Sequence, residues 1–162
     1  LSTRDLAAPQ AGPQSAKAAV APQVAPKAKP VLPEGTPKEQ YNFALRLLRV
    51  GKIEEAEKAL TAFVAVHPQD TLAANAEYWL GETYYVRQDY VSAGRVFAKS
   101  YQNHKDGAKA ADSLLKLGMS LGNLKKIREA CATFNKLEKD FPKIANHVKS
   151  TIARQRKSVG CN

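Results

Sequence analysis

Cysteine, tryptophan and methionine are nearly missing from this 162-residue chain, with two, one and one copies, and aromatic residues make up only 7%. Two thiols are too few for a disulfide scaffold or a cysteine-based zinc site. No apolar run approaches the ~20 residues that cross a bilayer, and mean hydropathy is -0.41, so no membrane insertion is expected. No basic segment followed by an apolar one opens the chain, so no secretion signal is read. The start, Leu1-Ser2-Thr3, lacks a methionine, and the chain is expected to be cut from something longer. The HExxH, GxSxG and glycine-rich phosphate-loop signatures are absent. Catalysis, metal and cofactor are therefore not expected.

Proline is also scarce once the first 36 residues are set aside. Pro9, Pro13, Pro22, Pro26, Pro30 and Pro33 fall there, Pro37 marks the edge, and only Pro68 and Pro142 follow. Residues 1–36 contain no aromatic side chain and are rich in alanine. Such a segment has too little apolar surface to offset its ordering entropy, and its prolines favour extended geometry. It reads as a disordered, semi-rigid tether. The net charge of +10 is uneven: residues 37–108 carry nine basic and nine acidic side chains, residues 109–162 twelve and four. Nucleic-acid binding would want arginine stripes with aromatic stacking partners. The C-terminal third offers only Phe134 and Phe141, at helix-core spacings. A solvated basic face, suited to an acidic partner or an anionic surface, is the better reading.

What is present is a repeat. At a fixed offset of 37, Phe43, Leu80 and Leu117 coincide, as do Ala44, Gly81 and Gly118; Ile53, Tyr90 and Ile127; Ala56, Ala93 and Ala130; Leu60, Phe97 and Phe134. Within each unit apolar residues recur at three- and four-residue steps, as on one face of a helix. Gly51 and Gly122-Asn123 read as helix stops midway. The spacing predicts three helix hairpins, 38–50 with 53–66, 71–87 with 90–103, and 108–121 with 124–140. Small residues in the first helix and alanine in the second let each pair approach closely. The segment from Ile144 to Lys157 is expected to be a helix closing the open end. His67 and His104 stand 37 apart in inter-unit turns, with Phe141 at the third place, and read as turn or packing residues.

The runs Leu80-Gly81-x-x-Tyr84 … Ala93 … Phe97 and Leu117-Gly118-x-x-Leu121 … Ala130 … Phe134 … Pro142 resemble the tetratricopeptide (TPR) pattern. The period is 37 instead of the usual 34, and the extra residues are expected to lengthen the turn between units. The expected fold is thus an all-α TPR solenoid: a tail over 1–36, repeats over 37–73, 74–110 and 111–143, and a capping helix with its tail over 144–162. The stretch Ala76-Glu77-Tyr78-Trp79-Leu80-Gly81-Glu82-Thr83-Tyr84-Tyr85, with Tyr41-Asn42, further resembles the C-terminal domain of the periplasmic Tol-Pal family YbgF/CpoB. That resemblance implies a periplasmic, non-enzymatic protein-binding module of cell division. Its implied partners are TolA and peptidoglycan synthesis proteins, and an upstream coiled coil, absent here, would make the trimer. An outer-membrane assembly scaffold is the rival reading.

First helices line the hollow face of a TPR solenoid, so their outward positions are the expected binding groove. By register these include Lys38, Tyr41, Leu45, Leu48 and Arg49; Asn75, Tyr78, Glu82, Tyr85 and Val86; Asp112, Leu115, Met119 and Asn123. Tyr78 and Tyr85 are expected to present their rings to a partner, with packing between repeats as the alternative. The basic pairs of carboxylate-clamp TPR domains do not occur at these positions. In an oxidising periplasm Cys131 and Cys161 are expected to pair; two free thiols are the alternative, as in a reducing cytosol.

Overall fold

The chain enters its first helix through Thr36 and Pro37. Thr36 accepts the Glu39 amide at 3.3 Å, and the Glu39 carboxylate accepts the Thr36 amide at 2.7 Å. Pro37 brings a preset φ to the first turn, where its missing N–H has no cost. In this computed structural model, which describes residues 29–162, seven helices follow. They are α1 (Pro37–Arg49), α2 (Ile53–Val66), α3 (Ala73–Val86), α4 (Tyr90–Asn103), α5 (Ala110–Asn123), α6 (Ile127–Asp140) and α7 (Asn146–Val159). No strand occurs among the described residues. Each helix packs on the next, which is the all-α stack of three hairpins plus a closing helix.

The tether reading of 1–36 lies outside the described residues as far as residue 28. Its last part belongs to the domain instead: Leu32 packs on the first core cluster, and the Pro33 carbonyl accepts the Gln40 side-chain amide at 2.9 Å.

Each hairpin turns at one repeated position in the left-handed backbone region. Gly51 has φ 78°, Gln88 62° and Lys125 61°, each 37 residues from the last. This corrects the expected stop at Gly122-Asn123, since α5 runs through both and α6 begins at Ile127, not 124. Gly122 is buried at the last turn of α5, where an added Cβ would sit 2.5 Å from Val159 Cγ2. The residue is small so that α7 can lie against α5, and Lys125 makes the bend.

The extra length of the repeat sits between hairpins, in segments 67–72 and 104–109, against the short turns 50–52, 87–89 and 124–126. Inside each hairpin, volume is exchanged between two facing positions. Ala44 and Leu60 are both fully buried in the first unit. In the second and third, glycine replaces alanine and phenylalanine replaces leucine, and a Cβ on Gly81 would meet Phe97 Cε1 at 2.5 Å. Gly118 stands in the same relation to Phe134. Interiors packed at crystal density make such substitutions interdependent.

A second repeated contact ties the first helix of each unit to the residue ending its second. Gln40 Oε1 and His67 Nε2 are 2.7 Å apart; Glu77 Oε2 and His104 Nε2 are 3.4 Å apart; Leu114 and Phe141 share one apolar cluster. At the far end Ile152 of α7 is fully buried among Val148, Val159 and Ile144. Cys131 and Cys161 are disulfide-bonded across this end, with Cα atoms 5.6 Å apart.

Candidate functional site

The first helices α1, α3 and α5 form one wall, and its chemistry concentrates where α3 meets α5. Lys116 of α5 places its ammonium 2.9 Å from Glu82 Oε1 and 4.6 Å from the centre of the Tyr85 ring, both on α3. Asn123 donates to the Tyr85 hydroxyl at 3.3 Å and to the Met119 carbonyl at 2.9 Å. Tyr85 also stands edge-on to Tyr90, with centroids 5.2 Å apart. One turn or two nearer the N-terminal end, Lys109 lies 4.8 Å from the Tyr78 ring centre and 5.6 Å from that of Trp79, while pairing with Asp112 at 3.3 Å. A half-buried ammonium over an aromatic face is held by the ring quadrupole as well as by its carboxylate.

The expected groove residues divide into three groups. Glu82, Tyr85 and Asn123 come together as one polar cluster bridging two repeats, with Met119 beside it. Asn75, Asp112 and Leu115 are partly buried, and Arg49 is exposed with Val86. Tyr41 and Tyr78 are not outward at all. Each is 8% exposed: Tyr41 meets Phe63 with ring centres 5.9 Å apart, and Tyr78 meets Phe97 at 5.8 Å, both pairs tilted. The expected presentation of Tyr78 is therefore corrected. That ring faces the hairpin's own second helix, so it is core. Burial raises the pKa of the Tyr41, Tyr78 and Tyr85 hydroxyls above the ordinary phenol value, keeping them neutral.

Lys109 and Lys116 were not among the expected groove residues, although Lys116 makes two of the contacts above and Lys109 three. Lys116 is the register equivalent of Trp79 and Asn42. The repeat offset carried the signal: Asn42 and Lys116 are both polar. Two cavities are lined by other residues. One of about 400 Å³ opens between Thr36, Lys38, Tyr41 and Asn42 and the Asp70–Leu72 turn. The other, about 650 Å³, lies on the opposite side between α2 and α4. Thr61, Val64, Leu80 and Lys99 line it, with Glu77 and Asn103, which donates to Glu77 at 3.3 Å. Among the described residues no group of three or more His, Cys, Asp or Glu side chains is placed to hold a metal.

Paired helices stacked at a constant offset, with side chains of successive first helices bridging the units, define a helical-hairpin repeat protein. Residues 41–108 match a family model described as Tetratricopeptide repeat, and residues 112–143 match a second model of that description. The chain thus carries tetratricopeptide repeats, which imply a protein–protein interaction module. Compared with curated proteins, it matches none.

Proposed function

We propose that this domain is a non-catalytic binding module of the periplasmic Tol-Pal system, of the YbgF/CpoB kind. Its partners in this reading are TolA and peptidoglycan synthesis proteins, and its task is to coordinate septal wall synthesis with outer-membrane constriction. The observation that carries the binding role is the Glu82–Lys116–Tyr85–Asn123 cluster. It sets paired charge, an aromatic ring and amide donors on the wall of first helices, across the junction of two repeats. Such a mixture suits a partner helix or extended segment held by an aromatic anchor with a polar surround. The Cys131–Cys161 bond supports an oxidising compartment.

An NMR titration with the periplasmic part of TolA tests the reading. Shift changes are expected at Tyr85, Glu82, Lys116 and Asn123. Tyr85→Ala should weaken binding about tenfold or more, as removal of an aromatic anchor does. Lys99→Ala, in the cavity between α2 and α4, should leave affinity unchanged. Absence of binding, or equal affinity for Tyr85→Ala, overturns the assignment.

A further inference from the structure

The C-terminal end of the solenoid carries cations that the fold itself does not neutralise. Of the twelve basic side chains after residue 108, Lys109, Lys116, Lys136 and Arg156 pair with carboxylates within 4.0 Å. The other eight have no such partner among the described residues: Arg128, Lys139, Lys143, Lys149, Arg154 and Lys157, with the two lysines of the 124–126 turn. All eight are exposed. Of the four carboxylates in the same stretch, Asp112, Glu138 and Asp140 are already engaged, which leaves Glu129. Arg128 and Lys139 are eleven residues apart, close to three turns, and so lie along one side of α6.

We propose that this end is an electrostatic docking face for an anionic lipid bilayer, separate from the wall of first helices. What the face lacks decides between a lipid and a protein partner. Protein interfaces have apolar, aromatic centres from which lysine is depleted. Here six of the eight free cations are lysine, and the five exposed large hydrophobics of the described chain, Val31 to Val91, all lie elsewhere. Val148, Ile152 and Val159 of α7 are committed to packing, so no apolar wedge is left to insert. An anionic bilayer needs neither pocket nor anchor. It presents a diffuse charged plane, and each basic side chain near it strengthens adsorption about fivefold.

The test is cosedimentation of the whole chain with phosphatidylcholine vesicles, with and without about 30% phosphatidylglycerol. Binding is expected to the anionic vesicles in about 0.05 M NaCl and to be lost in about 0.5 M, where screening shortens to a few ångströms. Changing Arg128, Lys139, Lys149 and Arg154 together to Gln should lower the partition coefficient about six hundredfold. Changing Lys58, Arg95, Lys99 and Lys105 to Gln removes the same net charge elsewhere and should lower it less than about threefold. Circular dichroism checks that both variants stay helical. If the first does not, Lys143→Gln with Lys157→Gln carries the comparison. Equal losses in the two variants would reduce the effect to net charge and overturn the proposal. So would absence of binding to anionic vesicles, including the case where poly-glutamate binds instead and the face belongs to acidic polypeptides.

Discussion

Opening the Cys131–Cys161 bond asks directly what holds α7 in place. The bond closes a loop with a sequence separation of 30. In the chain-entropy account, a loop of that length withholds about 3.6 kcal/mol of freedom from the unfolded chain at 25 °C. The remaining anchors of α7 are few: Ile152 is fully buried, while Val148 and Val159 are partly so. Replacing both cysteines with alanine should therefore lower stability by about 3 kcal/mol. With a urea slope of about 2 kcal/mol per molar, the unfolding midpoint falls by about 1.5 M. Far-UV circular dichroism gives that midpoint. Hydrogen exchange gives the location, with faster exchange expected over α7 and the end of α5 that Val159 covers. A midpoint shift under about 0.3 M, with α7 still protected, would refute the reasoning. It would mean that the noncovalent contacts of α7, with Arg156 on Asn135 and Glu138 among them, secure the end of the stack.

Three further outcomes follow from the packing and the charges. Gly118→Ala should cost about 1–3 kcal/mol by driving a methyl into Phe134; pairing it with Phe134→Leu, which rebuilds the combination of the first unit, should recover part of that in chemical denaturation. Gln88→Gly and Lys125→Gly should each raise stability by roughly 0.5–1 kcal/mol, because both residues sit at positive φ; a loss in melting temperature would contradict the turn assignment. Hydrogen bonds hold three carboxylates below their usual pKa: Glu39 through Thr36, Asp89 through Ser92, and Asp140 through Lys136 and then Tyr101. Their contribution is complete above about pH 4 and is lost as pH falls through the lowered values, so melting temperature should drop in that range and drop less in Asp140→Asn.

The repeat was legible because helix packing writes itself at a fixed offset. Ala44, Gly81 and Gly118 face Leu60, Phe97 and Phe134, and each exchange of volume leaves both partners visible in the chain. The hairpin turn at Gly51 was equally plain and the one at Gln88 followed from the repeat, whereas the turn at Lys125 was hidden by a side chain that seldom adopts positive φ. Gly122 misled for a physical reason. A glycine near a helix end can serve a bend or a close neighbour, and the neighbour, Val159, lies far along the sequence. Tyr41 and Tyr78 were read as wall residues, and the structure buries both. The step from Tyr78 to Trp79 turns about 100° around a helix, and core rings and wall rings look alike in a list of tyrosines. Lys116 reaching Glu82, and Lys109 reaching Tyr78, depend on how one unit is set against the next, which no single helix reveals.

The three contacts that tie each first helix to the end of its hairpin are not equal. Gln40 and His67 are joined by a side-chain hydrogen bond, Glu77 and His104 set a carboxylate 3.4 Å from an imidazole, and Leu114 and Phe141 share an oily cluster with a covalent staple nearby. A pull delivered from the N-terminal side would meet the unstapled joints first. The stack would then come apart like a zip with one end sewn shut, paying out its leading hairpin under load while the trailing one stays closed.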